Sequence, residues 1–133
     1  MKSFLRLGLL LTVTILLFTG CRTATINNIE ANNFTAISNS SVTLDRVAKE
    51  IIGAGVSLGW QMRRVSDGEI IATLFLRNHM AQVRIPFTTK DYSIIYKSSK
   101  NLKHDASNDT IHSNYNGWIQ NLDNAIQTRL GML

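Results

Sequence analysis

The run GEIIATLFLRNHMAQVRIPF, Gly68 to Phe87, decides the fold. Ile70, Ala72, Leu74 and Leu76 alternate with Ile71, Thr73, Phe75 and Arg77; after a polar break, Ala81, Val83, Ile85 and Phe87 alternate with Gln82, Arg84 and Pro86. A period of two places every second side chain on one face of a pleated strand, so the spacing predicts two half-buried strands and a hairpin. Asn78 and His79 tolerate positive φ and are assigned the turn, which pairs Leu76 with Ala81 and Leu74 with Val83.

The same period extends outward on both sides. Leu58, Trp60 and Met62 alternate with Gly59, Gln61 and Arg63, and Tyr92, Ile94 and Tyr96 follow the second strand. A one-residue slip would send every side chain to the wrong face, so the loops must agree with the pattern. A three-residue Ser66–Gly68 loop with Gly68 left-handed pairs Trp60 with Leu74 and Met62 with Ala72, whereas a two-residue turn mixes the faces. The four residues TTKD pair Phe87 with Tyr92 and Ile85 with Ile94. A four-stranded antiparallel meander with one apolar face results.

Helical periodicity brackets the meander. Leu44, Val47, Ala48, Ile51 and Ile52 form one stripe, with Thr43 as N-cap, Asp45 in the first turn and Gly53 as the stop. Ile111, Tyr115, Trp118, Ile119, Leu122, Ile126 and Leu130 form a second, with Asp109 or Thr110 as its cap. The expected fold is α+β, a two-layer sandwich in the order α-β-β-β-β-α with both helices on one face of the sheet. Gly117 interrupts the second helix off its stripe, where it costs about 1 kcal/mol relative to Ala.

The N-terminus speaks to location. Lys2 and Arg6 precede an uncharged apolar run from Leu7 to Phe18, shorter than the roughly 20 residues a spanning helix needs. That layout predicts a secretory signal over residues 1–20. The single cysteine of the chain follows it, and FTGC resembles the bacterial lipobox, with Phe18 where Leu is usual. The resemblance implies that Cys21 carries covalent lipid and becomes the first mature residue; several acyl chains, at about 0.8 kcal/mol per buried CH₂, make a stable anchor. A plain signal peptide with an unlipidated Cys21, or an uncleaved anchor, are the alternatives. Arg22, by resemblance to Gram-negative lipoproteins, favours the periplasmic face of the outer membrane.

Removing 20 residues leaves 113, enough for one domain, with 12 basic and 9 acidic side chains. The high pI of the whole chain, about 9.7, therefore shrinks to a mild surplus without a dense basic run, which excludes a nucleic-acid reading. Residues 21–41, rich in Asn, Thr, Ser and Ala, read as a lipidated Cys and flexible tether, with an extra edge strand through Ile26, Ile29 or Phe34 as the alternative. The domain proper is then 42–133.

The segments GWQM, GEIIATLFLRNHMAQVRIPF, YSIIYKSSKNL and IHSNYNGWIQNL together resemble a group of small proteobacterial lipoproteins. The resemblance implies an envelope location and an anchored design, and carries over no catalytic residue.

Three sets of side chains are candidates for function. The uncovered sheet face carries Arg63, Thr73, Phe75, Arg77, Gln82, Arg84 and Lys97, a mixture of cations, amides and exposed apolar groups that suits a protein partner or an anionic ligand. The predicted pairing places Arg63 with Ile71, Pro86 and Ser93, and Arg84 one row away with Gln61, Thr73 and Ile95; Phe75 falls opposite Gly59, which it could simply shield. His104, Asp105, Asp109 and His112 are ligand-type groups near the last helix, and a small metal-dependent enzyme built on them is the alternative function. Trp60, Tyr92, Tyr96, Tyr115 and Trp118 fall on inward stripes and are assigned to the core. With Cys21 lipidated and no serine or histidine in a nucleophile setting, no catalytic residue is assigned. The reading is a membrane-anchored envelope lipoprotein, a non-enzymatic binding or structural module without cofactor beyond its lipid. Its partners would be the membrane, an envelope protein or an anionic envelope polymer.

Overall fold

The computed structural model describes residues 22–37 and 41–133. The signal segment and Cys21 lie outside the described residues. The fold is α+β. In chain order the elements are β1 (Thr23–Thr25), β2 (Ile29–Asn33), α1 (Leu44–Ser57), β3 (Gln61–Ser66), β4 (Glu69–Leu76), β5 (His79–Pro86), β6 (Asp91–Lys100), β7 (Thr110–His112) and α2 (Asn114–Gly131). Strands β3 to β6 form the meander, and β2 adds a fifth strand on the β6 edge, giving the order β2-β6-β5-β4-β3; β1 and β7 form a separate antiparallel pair. One apolar core joins Val47, Ala48 and Ile51 of α1 and Ile119, Leu122 and Ile126 of α2 to Ile70, Ala72, Val83, Ile85 and Ile94 of the sheet. No helix among the described residues is long and apolar enough to cross a membrane.

The alternation places Met62, Ile70, Ala72, Leu74, Ala81, Val83, Ile85 and Ile94 on the inward face, but Leu58 falls in the turn after α1 and is exposed, Leu76 is exposed at the end of β4, and two of the three turns differ. Ser66 pairs with Glu69 across a two-residue Asp67–Gly68 turn, and a bulge at Val65 supplies the extra residue that keeps Met62 opposite Ala72. Arg64 secures this corner: its guanidinium donates to the carbonyls of Ser66 (3.2 Å) and Asp67 (2.7 Å) and reaches Asp45 of α1 at 2.8 Å. Gly68 therefore needs no left-handed conformation. At the next hairpin Leu76 pairs with His79, not Ala81, and Leu74 with Ala81. Arg77 holds the positive φ, 57°, in place of Asn78. Asn101 explains the choice, because its amide donates to the Asn78 carbonyl (2.7 Å) and its carbonyl lies 2.7 Å from His79 Nδ1. The TTKD loop does pair Phe87 with Tyr92.

Both helices begin or end differently from expectation. Thr43 caps α1, its hydroxyl accepting from Arg46 N–H at 3.3 Å, but the helix runs through Gly53 and Gly55 to Ser57, and Gly59, φ 87°, follows its C-cap Leu58. A Cβ on Gly53 would strike the Arg129 guanidinium, and one on Gly55 the Met62 thioether, so these glycines admit neighbours rather than end the helix. Ile111 belongs to β7 and pairs with Ala24, so α2 starts at Asn114; neither Asp109 nor Thr110 caps it, and His112 Nδ1 accepts the Asn114 N–H at 3.2 Å instead.

Of the stretch read as a tether, Thr23–Thr25 and Ile29–Asn33 are strands. Ile26 is core, and Ile29, Phe34 and Ala36 pack against it. The asparagines that lend the stretch its linker-like composition act as specific partners. Asn28 Oδ1 accepts the Tyr96 N–H (2.9 Å), and Asn32 donates to Asp123 (2.9 Å). Asn116 of α2 binds the Asn27 N–H (3.0 Å) and the Thr25 carbonyl (2.8 Å), satisfying backbone that no strand pairs.

Candidate binding face

The true register rearranges the open face of the sheet. Arg63, Ile71, Arg84 and Ile95 form one row across β3, β4, β5 and β6; Gln61, Thr73, Gln82 and Ser98 form the next, and Phe75, Met80 and Lys100 the third. Arg63 and Arg84, expected in different rows, thus flank Ile71 from strands about 10 Å apart. Ile71 is only 7% exposed although it lies on the outer face, as arginine stems on either side of an apolar residue would make it.

Beside this row a shallow depression of about 330 Å³ is lined by Gln61, Met62, Arg63, Ile71, Thr73 and Gln82. Its polar floor is pre-set: Gln82 donates to the Thr73 hydroxyl at 3.0 Å, and Ser98 donates to the Gln82 carbonyl at 3.4 Å. Arg84 lies 3.7 Å from Glu69 with its side chain 46% exposed, a loose pairing that leaves the guanidinium open to another anion. Two guanidiniums and a row of amides and hydroxyls over an apolar patch can grip a carboxylate or phosphate and the chain that bears it.

Arg63, Thr73, Gln82 and Arg84 are therefore one contiguous group, with Phe75 in the adjoining row, 59% exposed. Gly59 follows α1 and is not a strand residue, so Phe75 is not a glycine shield. Arg77 sits in the β4–β5 turn, and Lys97 occupies a bulge between the Gln82–Ser98 and Val83–Tyr96 pairs, so neither belongs to the central rows. That bulge is what brings Ser98 into line with Gln82; no turn residue in β6 marks it.

His104, Asp105, Asp109 and His112 serve four separate purposes. His104 stacks on Tyr96, ring centroids 4.5 Å apart. Asp105 accepts from the Ser107 hydroxyl (2.5 Å) and the Asn108 amide (2.7 Å), bonds that hold its carboxyl down at a pKa of about 2. Asp109 takes a positive φ of 53° and its carbonyl accepts the Ile26 N–H. His112 caps α2. Among the described residues no three His, Cys, Asp or Glu side chains converge as a metal site.

The aromatic residues assigned to the core hold that place, with Trp60, Tyr92 and Tyr115 buried and Tyr96 and Trp118 packed against them. Burial, then the Asp123 hydrogen bond and charge, pushes the Tyr92 hydroxyl well above its usual pKa; burial, then the nearby Tyr96, does the same to Tyr115. Among the described residues the Tyr115 hydroxyl has no hydrogen-bond partner. A second, smaller pocket of about 110 Å³ lies at the β4–β5 turn, between Leu76, Arg77, His79, Leu102, His112 and Trp118.

Comparison with family models, curated proteins and solved structures returns no match, so the chemistry of the face has to stand on its own geometry.

Proposed function

We propose that the chain is exported, acylated at Cys21, and held at the periplasmic face of the outer membrane as a non-enzymatic binding module. Its open sheet face takes an anionic segment of an envelope protein or polymer. The observation that carries this reading is the alignment of Arg63 and Arg84 in one row, flanking Ile71 beside the Gln61–Thr73–Gln82 depression. Exposed arginines beside a preformed polar floor cost little to desolvate and attract anions over roughly 8 Å at physiological salt. In-cell cross-linking from this face, compared between the native chain and the Arg63→Glu, Arg84→Glu double variant, tests it. Loss of the cross-linked partner is the expected result; an unchanged set of partners overturns the reading. Cys21→Ser tests the anchor, and retention of that variant in the membrane fraction would refute acylation.

A further inference from the structure

The first described residue, Arg22, is tied into the body of the domain. The Arg22 carbonyl accepts the Ser113 N–H at 2.8 Å, and Thr23–Thr25 ladder onto β7 immediately afterwards. Cys21 is one residue away, a reach of under about 4 Å.

The fixed point lies at one end of the molecule. Ser113 sits between His112, which pairs with Thr23, and Asn114; both line the small pocket with Leu76, Arg77, His79 and Trp118. Asn101 ties the β4–β5 turn to the end of β6, so the turn, Lys100 and the start of β1 share one surface. Phe75 and Leu76 are 59% and 45% exposed there. Arg22, Arg77 and Lys100 are exposed and make no ion pair among the described residues. The opposite end, about 25 Å away along eight-residue strands, carries the Asp67–Gly68 turn, Glu69 and Asp91. Arg77 holds φ 57° at the tip of its turn, a conformation disfavoured for a residue with a Cβ, although Asn78 stands next to it. The Asn101 bonds to Asn78 and His79 hold that conformation and so fix Arg77 at the exposed tip.

We propose that this end of the domain lies on the bilayer, so that the anchor fixes the orientation of the protein as well as its location. Phe75, Leu76 and Trp118 would meet the headgroup boundary, and Arg22, Arg77 and Lys100 the lipid phosphates. The Asp67–Gly68 end then points away from the membrane. The proposal rests on acylation of Cys21, and its test separates the two. Cys21 is the only native cysteine, so in acylated full-length protein an introduced cysteine is the one free thiol. Leu76→Cys and Asp67→Cys, both at exposed positions, are labelled with a fluorophore and reconstituted in vesicles of phosphatidylethanolamine and phosphatidylglycerol containing brominated acyl chains; Phe75→Cys and Lys90→Cys provide a second pair. Quenching several-fold stronger at Leu76 and Phe75 than at Asp67 and Lys90 is expected, and the difference should shrink in Arg77→Gly. One label per chain with equal quenching at both ends overturns the orientation alone. Two labels per chain would show Cys21 free and overturn the acylation beneath it.

Discussion

The Tyr92 hydroxyl donates to the Asp123 carboxylate, joining the start of β6 to α2. Asn32 of β2 donates to the same oxygen at 2.9 Å, so three elements distant in sequence close on one nearly buried acid, 8% exposed. Removing either donor leaves that carboxylate under-satisfied, which costs about 1–3 kcal/mol. Tyr92→Phe and Asn32→Ala should each lower stability by such an amount in urea unfolding. The double variant should lose less than the sum, because both act on one oxygen.

The two buried tyrosines make opposite predictions at neutral pH and the same one in alkali. Tyr115→Phe deletes a buried hydroxyl with no partner among the described residues and should leave stability unchanged or raised, whereas Tyr92→Phe lowers it. Each hydroxyl has a folded pKa above its unfolded value near 10. The folded state therefore binds the proton more tightly. The stability this contributes is complete below about pH 10 and falls as pH rises above it, by up to about 1.4 kcal/mol per pH unit for each tyrosine. Thermal melts from pH 8 to 11 should show a shallower alkaline decline in either Phe variant.

How far the fold could be read depends on whether the governing partner lies nearby in sequence. Alternation between Ile70 and Phe87 places the inward face correctly because burial of one face is a local, period-two signal. The Thr43 cap and the TTKD hairpin are likewise local. The Arg77 turn is set by Asn101, 24 positions on, and the strands of the N-terminal stretch by Asn116 and Asp123, which turn linker-like asparagines into anchors. Ile111 has the spacing of a helical stripe, yet β1 claims it as a strand. In the site, residue types and parity were legible, but the row uniting Arg63 with Arg84 depends on a β4–β5 register shifted by two residues, and the place of Ser98 opposite Gln82 on a bulge at Lys97. His104 and Asp105 show the converse, ligand chemistry in sequence absorbed by a ring stack and an Asx turn.

Two helical glycines should respond oppositely to alanine. Gly117 is exposed and a Cβ there meets nothing within 4 Å, so Gly117→Ala should stabilise by about 0.5–1 kcal/mol through helix propensity alone. Gly55 is buried, and its Cβ would overlap the Met62 side chain at Sδ, Cε and Cγ. Gly55→Ala must displace β3 or Met62 from the core and should destabilise by about 1–3 kcal/mol. Differential scanning calorimetry of the two variants should give melting shifts of opposite sign.

Glu69 tempers the anion-binding row without supporting the fold. Its carboxylate lies 3.7 Å from Arg84, with the two side chains 28% and 46% exposed. An ion pair this open contributes about 0–1 kcal/mol to stability, so Glu69→Gln should melt close to the native chain. Binding responds more strongly, because the variant removes the carboxylate that, among the described residues, competes with an anionic ligand for Arg84. With heparin as a probe polyanion, Glu69→Gln should bind several-fold tighter and Arg84→Glu several-fold weaker, both differences narrowing as salt rises and screens the face. Gln82→Ala separates recognition from bulk charge: it leaves the net charge intact and removes the amide that bridges Thr73 and Ser98. Weaker binding of Gln82→Ala at unchanged stability marks a shaped site. If only the charge variants respond, the face acts by its field alone.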